Sequence, residues 1–146
     1  MGQRRVAREL GLQLLYAIDI TALSLQETLE NFACLELKKK PQPGDFTIQL
    51  LEKTLLNLAY IDLLLQKVIT NWRLDRLSSI DKNILRLATS ELLHFSDIPP
   101  KVTINEYIEI AKVYGDTDSP SFINGILDKI ARNSTHKLVQ KDSIPH

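Results

Sequence analysis

Residues 45–70 read DFTIQLLEKTLLNLAYIDLLLQKVIT, and leucine and isoleucine recur through this segment at intervals of three, four and seven. That spacing places the apolar side chains on one face of an α-helix. Asp45 is a suitable N-terminal cap, so the segment predicts one helix of about 39 Å at 1.5 Å per residue. Because its apolar stripe is broad, we expect this helix to lie at the centre of the fold.

Helix boundary signals divide the rest of the chain. Ser24–Glu27 and Thr103–Glu106 each have the spacing of a capping box, which marks the start of a helix. Ser78 or Ser79 can begin a further helix, and Ser119-Pro120 fits the cap and first position of the last one. No segment indicates a strand. The pattern predicts an all-α bundle of six or seven helices.

The composition supports helix and narrows the classes of function. The 146 residues include 25 Leu and 15 Ile but 5 Val, which favours helix over sheet. Eighteen basic and 18 acidic residues give a net charge of zero, so a strongly basic nucleic-acid binder is excluded and any such site must be a local patch. The one cysteine excludes an intramolecular disulfide.

Targeting signals are also missing from the sequence. No apolar run reaches the roughly 18 residues that span a bilayer, and the N-terminus lacks the apolar core of a signal peptide. We therefore expect a cytoplasmic protein with no membrane contact. The polar residues 135–146 are expected to form a flexible tail after a single domain over residues 1–134.

Catalytic and metal-binding motifs are absent. The sequence contains no Gly-rich nucleotide loop, no nucleophile elbow and no HExxH zinc motif. Of the three histidines, His136 and His146 lie in the tail, and His94 lies at a helix end. These observations predict no catalytic residue, no metal and no cofactor.

Glu91 lies on the inner face of its helix, together with Ile84, Leu87 and Ala88. A carboxylate placed there is either an acid in a functional site or a buried structural group that needs hydrogen-bond donors. We favour the structural role, with backbone N–H groups of residues 99–106 as the donors, because the Pro99-Pro100 turn returns the chain to this neighbourhood.

A cluster of arginines opens the first helix. Arg4 and Arg8 are one turn apart on the same side, and Arg5 lies beside them. Cations are unfavourable at this end of the helix dipole, which indicates another use. Guanidinium groups can grip phosphate with two hydrogen bonds and stack on bases. The alternative is a basic helix end that is simply solvated.

Several segments, in the same order, resemble the NusB family of bacterial transcription antitermination factors. The similarity covers roughly residues 3–133. The segments are RRVAREL at 4–10 closing on LY at 15–16, WRLDRL at 72–77, DKNILRLA at 81–88, INE at 104–106 with IEIAK at 108–112, and FINGILD at 122–128.

The resemblance implies a fold, an activity and partners. The fold would be two packed helical subdomains without enzymatic activity. The chain would bind boxA-like single-stranded RNA together with NusE, a small-subunit ribosomal protein. It would act within the RNA polymerase antitermination complex and support ribosomal RNA transcription.

The resemblance also implies roles for single residues. The RNA-binding residues would be Gln3, Arg4, Arg5, Arg8 and Phe122, with Phe122 beside a base. Tyr16 and Asp81 match positions on the NusE face of the family.

The chain departs from the family at two places. Gln3 and Val6 dilute the basic run, and Ser121 stands where a basic residue commonly precedes the phenylalanine. We therefore expect weaker RNA binding by the chain alone and greater dependence on NusE. Two alternatives stay open: the NusB-like domain of a ribosomal RNA cytosine methyltransferase, present as a fragment, and a helical adaptor that does not contact RNA.

Overall fold

The protein is seen in a computed structural model that describes the backbone of residues 2–35, 42–70 and 73–142 and the side chains of residues 2–33, 42–70 and 73–133. This part of the chain forms seven α-helices and one short 3-10 helix and contains no strand, which confirms the predicted all-α fold. The α-helices are α1 (Gln3–Thr21), α2 (Leu25–Leu35), α3 (Asp45–Leu56), α4 (Leu58–Val68), α5 (Ser79–His94), α6 (Pro100–Tyr114) and α7 (Ser119–Asp142), and the 3-10 helix is Leu74–Arg76.

The central element of the fold is α5. It packs against α1, α3, α4, α6 and α7, and every residue from Asn83 to Leu92 is buried. Helix α1 also packs with α2 and α3, while α7 also packs with α4 and α6. The helices thus form the two packed groups that the resemblance implies, with α5 shared between them. The expectation that residues 45–70 are the centre is wrong.

Residues 45–70 form two helices instead of the single predicted one. Helix α3 ends at Leu56 and α4 begins at Leu58, and Asn57 between them has φ −109° and ψ 20°. The Asn57 side-chain amide donates to the carbonyl oxygen of Lys53 at 2.8 Å. Such side-chain bonds compete with the helix. The apolar stripe continues on both sides of the break, so periodicity does not reveal it.

The two capping boxes have opposite outcomes. Ser24 N–H donates to Glu27 Oε1 and Glu27 N–H donates to Ser24 Oγ, both at 3.0 Å, as the sequence predicts. The box at Thr103–Glu106 is wrong, because α6 begins at Pro100 and includes these residues. A proline at the first helical position needs no hydrogen-bond partner for its nitrogen, so the helix can start there.

The C-terminal part of the chain continues α7. This helix extends to Asp142, and residues 143–146 lie outside the described residues. The division into a domain over residues 1–134 and a flexible tail over 135–146 stays a prediction. Among the described residues, none of the helices has the length and apolar character that crossing a membrane requires.

Candidate functional site

The first turns of α1 are attached to the core by a buried ion pair. Arg8 Nε donates to Glu91 Oε1 at 2.8 Å, and Arg8 Nη2 donates to Glu91 Oε2 at 2.6 Å. Thr103 Oγ1 donates to Oε2 at 2.8 Å, and the Tyr107 hydroxyl donates to Oε1 at 3.0 Å. Each oxygen of the Glu91 carboxylate therefore accepts two hydrogen bonds, as a buried charge requires.

The surroundings of this ion pair shift the pKa of Arg8 and the pKa of Tyr107. Burial acts to lower the pKa of Arg8, but the hydrogen bond and charge of Glu91 outweigh it and raise that pKa. Burial, reinforced by the negative charge of Glu91, raises the pKa of Tyr107 well above its usual value. Both groups are therefore held in their protonated forms at neutral pH.

The structure buries Glu91 completely, with 0% of the residue exposed. The donors differ from those that the sequence suggests, because side chains replace the expected backbone N–H groups of residues 99–106. Thr103 lies within that range but donates through its hydroxyl. Arg8 is 83 positions away and reaches Glu91 because α1 packs against α5.

The RNA grip that the resemblance implies for Arg8 stays a prediction, and the structure places this residue in the interior. Only 2% of the residue is exposed, and the guanidinium nitrogens Nε and Nη2 both donate to the Glu91 carboxylate. A phosphate could replace that carboxylate only by leaving Glu91 buried and unpaired, which is costly. In this structure Arg8 holds α1 in place and does not face solvent.

Arg5 forms a second ion pair, with Glu106 of α6. Its Nε donates to Glu106 Oε1, and its Nη2 donates to Oε2 at 3.0 Å. The hydrogen bonds from Arg5 lower the pKa of the Glu106 carboxyl, which keeps it ionised. The side chains of Arg5 and Glu106 are 18% and 25% exposed, so this pair lies nearer the surface than that of Arg8.

Gln3 and Arg4 are exposed at the N-terminal end of α1. The guanidinium carbon of Arg4 lies 4.8 Å from the ring centroid of Phe46, in α3. The same ring lies 5.4 Å from the guanidinium carbon of Arg8 and 5.2 Å from the ring of Phe95. Arg4 is therefore the member of the arginine cluster whose charge faces solvent.

Phe122 lies in the first turns of α7, and the exposed Ser121 precedes it. Its side chain is half-buried and packs against the hydrophobic core. The residue is therefore partly accessible to solvent and also contributes to packing. The structure contains no contact that tests base stacking, so this role stays a prediction.

The two residues expected on the NusE face lie on different helices. Tyr16 is 39% exposed on α1. Asp81 is half-buried in the first turn of α5, where its N–H donates to the Ser78 cap at 3.1 Å. Asp81 Oδ1 has no hydrogen-bond partner within the described residues. Their part in a protein interface stays a prediction.

A second ion network, which was not predicted from the sequence, joins α1, α4 and α5. Arg86 donates from Nε and Nη2 to the two Asp62 oxygens at 2.9 and 2.8 Å. Asp19 accepts from Asn83 Nδ2 at 3.2 Å and pairs with Lys82 Nζ at 3.3 Å. The available signal was Arg86 itself, because a cation within the apolar run of α5 requires a carboxylate partner.

Metal-binding residues do not gather in the part of the chain whose side chains are described: no group of three potential ligands occurs there. His94, at the end of α5, has Nδ1 3.0 Å from the backbone oxygen of Ser90. His94 therefore contacts the backbone of the last turn of α5, as expected for a residue at a helix end.

A family model and the curated relatives of this chain agree on one protein family. The NusB family model matches residues 5–132. The transcription antitermination protein NusB of Listeria innocua is 40% identical over 129 residues, which cover 88% of this chain and 96% of that protein.

Solved structures have the same fold. NusB of T. maritima superimposes with a TM-score of 0.77 at 38% identity and covers 90% of this chain and 92% of its own. A structure of the antitermination factors NusB and NusE with double-stranded RNA gives a TM-score of 0.78 at 23% identity, covering 89% of this chain and 96% of that one, and supports the fold alone. With its family match, its close relative and its helical architecture in agreement, the chain belongs to the NusB family.

Proposed function

We propose that this chain is a transcription antitermination factor that binds boxA-like single-stranded RNA together with NusE. In this role it joins the RNA polymerase antitermination complex and supports ribosomal RNA transcription. The observation that carries the proposal is the NusB family match over residues 5–132. A solved structure with the same fold holds NusB, NusE and double-stranded RNA, which is consistent with RNA and NusE as partners for this fold.

The RNA site that we propose lies at the N-terminal end of α1. Gln3 and Arg4 are exposed there and contact the RNA backbone, since a guanidinium can bind phosphate through two hydrogen bonds. Arg5, which is partly exposed in its ion pair with Glu106, adds positive charge to the site. Arg8 supports the helix from the core through its ion pair with Glu91. Phe122 contributes the exposed part of its ring to a base.

The NusE face that we propose includes Tyr16 and Asp81. Tyr16 offers an aromatic ring with a polar end, which is favourable in protein interfaces. Asp81 offers a carboxylate that suits a basic group and repels phosphate. The two functions are then carried by separate parts of the surface.

We propose binding as the activity, without catalysis and without a cofactor, in the bacterial cytoplasm where transcription takes place. The relatives are named for transcription antitermination. The carboxylates of Glu91 and Glu106, which a catalytic hypothesis would use, are taken up by ion pairs with Arg8 and Arg5.

Binding of labelled RNA by the chain, with and without NusE, tests this function. The RNAs are boxA and a scrambled sequence of the same composition. We expect NusE to strengthen binding and boxA to bind more tightly than the scrambled RNA. Equal affinity for both RNAs in the presence of NusE would contradict the proposal. NusE binding without any RNA binding would favour the helical adaptor instead.

A further inference from the structure

We infer that Phe46 of α3 is a positioning residue that holds the Arg4 guanidinium ready for an RNA phosphate. The inference rests on the RNA site proposed above and adds a residue from a different helix to it. Its basis is the position of the Arg4 guanidinium carbon, 4.8 Å from the centre of the Phe46 ring. A cation over an aromatic face is attracted by the negative charge of that face.

The Phe46 ring is itself held in place. It packs against Phe95, with the ring centroids 5.2 Å apart and the planes inclined by 57°. The guanidinium carbon of Arg8 lies 5.4 Å from the Phe46 centroid, and Arg8 is fixed by its two bonds to Glu91. Half-burial against the hydrophobic core further limits the ring. Phe46 therefore presents a fixed surface to the flexible side chain of Arg4.

Arg4 differs from the other two arginines in what its guanidinium contacts. Arg5 and Arg8 each direct two donors at a carboxylate. Within the described residues, Arg4 makes no ion pair or hydrogen bond through its guanidinium, and the Phe46 ring holds it. Attraction to a ring face leaves in-plane N–H donors for a phosphate.

Holding the side chain before RNA arrives has a consequence for affinity. A long side chain that is already restricted loses less conformational entropy when it binds, so the complex is tighter. A cation–π contact at an exposed site corresponds to about a two- to fivefold change in an equilibrium constant. We expect an effect of that size on RNA affinity, transmitted through Arg4.

The test measures affinity for boxA RNA in the presence of NusE. The variants are Phe46→Leu, which removes the ring, and Phe46→Tyr, which keeps it. Each is made with Arg4 intact and with Arg4→Gln. With Arg4 intact, we expect Phe46→Leu to weaken binding about two- to fivefold and Phe46→Tyr to restore it. With Arg4→Gln, Phe46→Leu should cause no further loss.

Phe32→Leu is the matched control, because it removes a half-buried ring of α2 that packs against the hydrophobic core and makes no ring or cation–π contact with Phe46 or Arg4 among the described residues. We expect it to lower the melting temperature and leave RNA affinity unchanged. An equal loss from Phe46→Leu in both backgrounds, or no loss in either, would overturn the inference while leaving the RNA site intact. Unchanged RNA affinity in Arg4→Gln alone would instead overturn the proposed RNA site.

Discussion

Arg8 and Glu91 lie 83 positions apart in the chain and are joined by two parallel hydrogen bonds, from Nε to Oε1 at 2.8 Å and from Nη2 to Oε2 at 2.6 Å. This buried pair fixes α1 against α5, the central helix. It also separates the roles of neighbouring arginines, because Arg8 is buried while Arg4 is exposed. In the basic N-terminal segment, Arg8 therefore stabilises the fold, whereas Arg4 presents its charge to solvent.

Glu91→Ala should strongly destabilise the protein. The substitution leaves the charge of Arg8 buried without its partner, which typically costs about 3–5 kcal/mol. Urea denaturation measures the loss of free energy of unfolding. Glu109→Ala is the matched control, since Glu109 pairs with Lys112 on the exposed face of α6 and should matter little. Similar stability of the two variants would refute the importance of the buried pair.

Tyr107→Phe should make stability less sensitive to alkaline pH. Burial and Glu91 raise the pKa of Tyr107 in the folded state, whereas the unfolded tyrosine ionises near its ordinary value of about 10. Above that pH the unfolded tyrosine loses its proton while the folded one keeps it. The free energy of unfolding of the natural protein therefore falls as the pH rises.

The variant lacks this proton and should lose stability less steeply as the pH rises above about 10. At neutral pH it should be destabilised by about 1.5–3 kcal/mol, because the hydroxyl no longer donates to a charged group. Urea midpoints across this pH range measure both effects. Parallel pH profiles for the two proteins would count against the assignment.

Phe122→Leu should separate the packing of this residue from its contact with RNA. Leucine retains apolar packing against the core but has no ring to stack on a base. We expect RNA binding to weaken by about 1–3 kcal/mol, with a nearly unchanged salt dependence. Melting temperature is measured on the same variant. A lower melting temperature with full RNA affinity would show that Phe122 serves the core alone.

Asp81→Lys should weaken NusE binding and leave RNA binding by the chain alone intact or slightly stronger. The change reverses a charge on the proposed NusE face, and the new cation would attract phosphate. Calorimetric titration with NusE measures the first effect. Asp97→Lys, at an exposed position after α5, is the charge-matched control. Unchanged NusE affinity in Asp81→Lys would remove this residue from the interface.

Much of the fold could be predicted because the relevant signals are local. The reciprocal bonds between Ser24 and Glu27 follow from residue type and a spacing of three. The break at Asn57 could not be predicted, because apolar residues continue at helical spacing through it. The false box at Thr103 has the right residues, but Pro100 begins the helix one turn earlier.

The candidate site was harder to predict because its contacts are distant in sequence. The face of α5 indicates that Glu91 is buried, but the identity of its partner depends on how α1 packs. Arg4 and Arg8 have the same residue type and share one side of the helix. Their exposure differs because Arg8 lies one turn further along α1, where the helix packs against α5 and Arg8 reaches Glu91. Spacing along the sequence does not give this packing.

We propose that Arg4 supplies charge to RNA while Arg8 holds α1 against the core. The salt dependence of RNA affinity, measured for the natural chain and for Arg4→Gln, tests this division, with Arg132→Gln on α7 as a control. We expect Arg4→Gln to weaken binding and reduce the slope of log affinity against log salt by about 0.7, at an unchanged melting temperature. An Arg4→Gln variant with the affinity and slope of the natural chain would show that Arg4 makes no contact with an RNA phosphate.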